Sequence, residues 1–323
     1  MTNFQIHRKL LSFSFVSFLV DMLCLAIVVG GGTLGFFIMN RQTDLAILGL
    51  IIGAIIGALL IIPISIFVSN RIKAAQIAMM TKAVTEGKLP DHAFHAGFEE
   101  IRGRFVKITV FFAITNAIKG IFRQLGRTMN QVGTAVGGNT GNAITSGIDA
   151  AIQTLIGYLC DCCLGWIMYR NDINPFKAGC EGAAIFFKHG KTLIRNVGRI
   201  FGMGILSLLL IGGAFFGILY LIFSQFPKMF EMLSSEIVEI AVRNNGEIPE
   251  IISNPTFLTL VVCGILALII WGCIHSVLIR PFILIGVLRN FMAAGQKDIP
   301  SEKDFAMLAE KSPKFVKLQN KIQ

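Results

Sequence analysis

Residues 45–68 read LAILGLIIGAIIGALLIIPISIFV, and no charged group interrupts them. A helix of about 20 such residues spans the roughly 30 Å hydrocarbon layer of a bilayer and keeps its backbone hydrogen bonds inside itself. The rest of the chain agrees. Hydrophobic residues make up 54% of the 323 and charged ones 15%, with a mean hydropathy of +0.70, whereas a soluble domain is about one-quarter charged. Disordered chains, disulfide-rich secreted domains and ordinary cytosolic enzymes are therefore excluded. The expected fold is an all-α polytopic integral membrane protein.

Three further apolar blocks are long enough to cross. The first, Leu10 to Met39, follows Arg8 and Lys9 and exceeds the roughly 7 to 15 apolar residues of a signal peptide, so it is expected to be a retained span. The others run from Ile200 to Phe223 and from Thr256 to Leu278. Between them the charges alternate. Residues 70–107 carry net +3, 170–199 net +4, 224–254 net −3 and 280–323 net +4, which places the basic stretches and both termini on the cytosolic side. The crossings are then even in number. Four are secure; six are favoured if Val106 to Phe122 and Ile148 to Tyr169 also cross.

The organisation expected is an N-terminal transmembrane hairpin (1–69), a cytosolic connection (70–105) and a Gly/Asn-rich membrane-associated or spanning region (106–169). A basic amphipathic connection (170–199), a transmembrane pair (200–280) with an acidic external loop (224–254), and a basic tail (281–323) follow. The tail is too small to bury a core of its own and is expected along the membrane surface. Its setting is the cell membrane, and a prokaryotic inner membrane fits.

Gly49, Gly53 and Gly57 recur every fourth residue and put a smooth stripe on the second span. Such stripes let membrane helices approach closely, within one chain or between identical subunits, and a pore-lining role is the other account. Candidates for a solute or ion site come from polar groups in apolar surroundings, because charge inside a bilayer must be compensated. Asp21 leads: it can be a cation or proton site, a neutral hydrogen-bond donor between helices, or a residue nearer the cytosolic edge. Asn139 and Asn142 lie in a Gly, Asn and Thr-rich stretch that is either a solvated loop or a broken element lining a polar cavity. Asp149, Asp161 and His275 complete the set; Tyr158, Trp166 and Tyr169 are expected as interfacial belt residues.

The net charge of +10 reads as topology and lipid-headgroup contact rather than nucleic-acid binding. Lys188, Lys191, Arg195 and Arg199 form one such interface. The run Cys160, Cys162, Cys163 has no completing histidines, so it is read as apolar packing, with palmitoylation the alternative and no metal expected. No phosphate loop, dinucleotide fingerprint or serine elbow is present in the sequence, and neither an enzyme nor a bound cofactor is expected.

The cysteine-rich helix end at Cys160–Trp166, then Tyr169-Arg-Asn, Cys180 and Leu193-Ile-Arg-Asn-Val-Gly-Arg-Ile200, stands before a long apolar span. This order resembles the C-terminal part of choline transporter-like membrane proteins, over residues 147–297. The chain lacks that family's large extracellular domain and its fuller set of spans. The resemblance implies passage of choline or a similar small organic cation, and it carries no substrate residue onto a numbered position. The expectation is thus a transporter or channel-like permease for a small solute. A non-transporting scaffold or lipid sensor of an envelope complex is the competing class.

Overall fold

A computed structural model describes residues 1–42, 46–104, 114–121, 123–124, 142–243, 251 and 253–321. All regular structure among them is helical, and four helices are long and apolar enough to cross a membrane. The chain divides into two compact units, Met1–Gly198 with Pro281–Gln323, and Arg199–Arg280.

In the first unit a short helix α1 (Asn3–Lys9) leads into α2 (Leu11–Gln42), which packs along α3 (Ala46–Ile64). Ile51, Ile55, Leu59 and Ile62 on α3 are exposed, as a lipid-facing helix requires. Past a π-turn at Ser65–Ser69 the helix continues as α4 (Asn70–Thr85), and its character reverses: Ile77, Met79 and Met80 are fully enclosed by protein. Across this π-turn exposed apolar side chains give way to enclosed ones.

The protein that encloses α4 is a helical body. Its parts are α5 (Ala93–Arg104), residues 114–121, the second half of α6 (Asn142–Tyr169), α7 (Pro175–Lys188), α12 (Arg280–Lys297), α13 (Glu302–Lys311) and α14 (Pro313–Gln319). Phe13, at the start of α2, enters the same core with its ring centroid 4.8 Å from that of Phe94. Ile114, Ile118 and Ile121, spaced for one helical face, are buried, and Gly179 of α7 lies against the first two. In α6 every residue from Tyr158 to Met168 is buried. The tail completes the shared core, with Phe305, Leu308, Phe315 and Leu318 buried. Local signals start each piece: Asn174 caps α7 ahead of Pro175, Ser301 and Asp304 make a capping box, and Ser312 caps α14 ahead of Pro313.

The second unit takes its start from the end of α8 (Gly190–Ser207) and contains α9 (Gly213–Phe223), α10 (Pro227–Arg243) and α11 (Pro255–Ile274). Apolar α9 and α11 pack together, Trp271 donates to the Ser207 hydroxyl at 3.1 Å, and Gly212 lies against Leu208 and Trp271. The Ser234 hydroxyl of α10 donates to the carbonyl of Ser253, tying the 224–254 segment to the start of α11.

Candidate functional site

The α2–α3 contact is backbone against backbone. A Cβ on Gly31 would stand 2.6 Å from the Gly53 carbonyl oxygen, and one on Gly57 would stand 2.8 Å from that of Ile27. Gly35 and Gly49 meet each other's carbonyl oxygens still more closely. Gly49, Gly53 and Gly57 therefore pack within one hairpin, leaving no passage between its two helices. The groove running along the hairpin, about 620 Å³, is lined by groups such as Ala26, Gly30, Leu34, Ile52, Ile56 and Leu60. It offers no charge, amide or aromatic face to an organic cation.

Asp21 is exposed on α2, between the outward-facing Leu19 and Leu23. The pairing of α2 with α3 sets it level with Pro63, just before the π-turn.

The other candidates do not converge with it. Asp161 is buried in the body and paired with Lys73 of α4 at 2.7 Å, so α6 uses this carboxylate to hold α4. His275 opens the π-turn after α11, its ring 5.1 Å from that of Trp271. Asn139 lies outside the described residues. Asn142 and Asp149 fall on the α6 backbone, and their side chains lie outside the described ones.

Reading the sequence missed the body's polar centre. Trp166, expected in a membrane belt, is fully buried and donates through Nε1 to the Glu181 carboxylate at 2.9 Å; Tyr158 is buried as well. Arg170 Nη1 reaches the same Glu181 oxygen at 3.0 Å, while its Nε and Nη2 clamp Asp172. The signal available was spacing: Trp166 and Arg170 are four residues apart at the end of α6, and Glu181 follows eleven residues after Arg170, on α7.

Lys188 closes the body's other seam. Its ammonium bonds Asp298 and Asp304 at 3.0 and 3.1 Å, tying α7 to the tail. The Ser301 backbone N–H, then the Ser301 hydroxyl and Lys188, hold the Asp304 carboxyl below its ordinary value. A carboxyl lowered in the folded state contributes stability that is present above the unfolded-state value, about 3.9, and lost as pH falls through the folded one. Acid unfolding followed by circular dichroism should therefore start at lower pH in the wild type than in a variant whose tail is already loosened. Asp304→Asn should cost stability at neutral pH and flatten the acid dependence below about pH 4. Arg199 is exposed; the side chains of Lys191 and Arg195 lie outside the described ones.

Cys160, Cys162, Cys163 and Cys180 are buried, and loss of hydration raises all four thiols, Cys160 and Cys180 to about 12. The thiolate is the reactive form. These four should resist maleimide at pH 7.5 in the folded protein and label together on unfolding; fast native labelling at Cys162 or Cys163 would contradict this packing.

No known protein family, curated protein or solved structure matches this chain. The functional reading therefore rests on the geometry.

Proposed function

We propose that this chain is a non-transporting membrane scaffold in which four crossings anchor a helical body at one face of the membrane. The observation that carries the proposal is the backbone-to-backbone closure of α2 on α3 at Gly31, Gly35, Gly49, Gly53 and Gly57. A permease built around this hairpin would need a polar path there, and the groove along it is lined by apolar groups. Four crossings, rather than six, fit the burial of residues 114–121 and of the second half of α6 in the body. The basic flanks of the spans favour the cytosolic face for that body and for both termini. Lipid is then the first partner, and the enclosed body the part that organises others.

Passage of a small solute, choline included, is the rival reading, and flux separates the two. In proteoliposomes loaded with labelled choline or tetramethylammonium, efflux should match that of protein-free vesicles, for the wild type and for Asp21→Asn alike. Saturable efflux in the wild type, reduced by Asp21→Asn, would overturn the scaffold and restore the transporter.

A further inference from the structure

The start of the chain presents three faces. Ile6, Leu10, Phe13 and Ser14 are buried in the body. On another side Phe4 of α1 and Leu11 and Phe15 of α2 are exposed, at 64, 37 and 60%; Leu11 and Phe15, four apart, share one face of α2. Between these faces Arg8 and Lys9 join Lys88, from the turn after α4, around a cavity of about 400 Å³ that Gln5, Gly87 and Leu89 also line. Gly87 takes a φ of +72°, which turns the chain so that Lys88 comes to this wall. No acidic side chain lines the cavity, and none of the three cations forms an ion pair with a described residue. The Gln5 amide oxygen is taken by the Thr2 N–H at 2.9 Å, which leaves its NH₂ to donate.

Three cations and an amide donor around one hollow fit an oxyanion. Their place in the chain says which one. Arg8 and Lys9 immediately precede α2, the first helix long and apolar enough to cross a membrane, and cations at the end of such a span attract anionic lipid headgroups. Phe4, Leu11 and Phe15 are exposed beside them. We propose that Arg8, Lys9 and Lys88 form a binding site for the phosphate of an anionic phospholipid in the leaflet that faces the body. This rests on the membrane anchoring proposed above and makes the lipid class specific.

The test is thermal unfolding of the full chain in detergent, titrated separately with phosphatidylglycerol, phosphatidylcholine and inorganic pyrophosphate. Phosphatidylglycerol should raise the midpoint saturably and phosphatidylcholine should not. Lys88→Gln should need about fivefold more lipid for half the shift, since one surface cation contributes about that factor. The triple variant R8Q/K9Q/K88Q should lose the shift, and R102Q/K303Q, which removes exposed cations elsewhere, should behave as wild type. Should the triple variant fold poorly, Lys88→Gln decides alone, because its side chain lies on an exposed turn.

Three results would overturn the site: an equal shift with phosphatidylcholine, wild-type titration by Lys88→Gln, or a pyrophosphate shift that phosphatidylglycerol cannot add to, which would make a soluble phosphate the ligand. A detergent dimer dispersed by Phe15→Ser, without any lipid effect, would assign the apolar face to a second copy instead. Flux in proteoliposomes bears only on the scaffold reading, so the two proposals can fail separately.

Discussion

Replacing Gly53 by leucine is expected to break the α2–α3 hairpin and give the largest loss of stability of any single change in the spans. A Cβ there would fall on the carbonyl oxygen of Gly31 and stand 3.2 Å from the Gly35 Cα. Both obstacles are backbone, so no rotamer change relieves them. The helices must separate and give up the close contact that substitutes, in lipid, for the missing hydrophobic drive. Overpacking costs about 1–3 kcal/mol where neighbours can shift; here the upper end, about 3 kcal/mol, is expected. Gly30→Leu is the control, because a Cβ at Gly30 meets no atom within 4 Å. Thermal unfolding in detergent should show a large drop for Gly53→Leu and little change for Gly30→Leu. Equal midpoints would mean that the hairpin does not depend on this contact.

The body should respond as strongly to Arg170→Met. That change leaves the Glu181 carboxylate, 4% exposed, with only the Trp166 N–H of the three-residue cluster to answer it. Stranding one member of a buried ion pair costs about 3–5 kcal/mol. Replacing both members by apolar groups removes the stranded charge, so the Arg170→Met, Glu181→Met pair should be less destabilised than Arg170→Met alone. Urea unfolding followed by tryptophan emission reads this directly, since Trp166 lies in the cluster. If the double variant is the less stable of the two, the cluster contributes net stability rather than arrangement.

The spans and the glycine stripe were legible in the sequence because their signals are local: an uninterrupted apolar run and a spacing of four. The body was not, and the reason is physical. Its helices α4 and α12 follow the apolar runs with lower hydropathy, which marks where the runs end but not which side chains other helices enclose, such as Met79 and Phe291. Trp166 suits a membrane belt as well as a polar core until Glu181 is seen beside it. Asp161 likewise passes for an intramembrane charge until Lys73, 88 positions earlier in the chain, is found 2.7 Å away. The tail shows the limit clearly, for Phe305 and Phe315 become core residues only because α7 is there to cover them.

The central claim is that segments from both ends and the middle of the chain meet in one body on one side of the membrane. Side-specific maleimide labelling of single cysteines in sealed vesicles tests it, with Cys24 and Cys273 replaced by serine to lower the background. Cysteines at Lys88 and Lys317, both exposed on the body, should label from one side, and a cysteine at Gln225, between α9 and α10, from the other. Labelling of Lys88 and Lys317 from opposite sides would contradict the account.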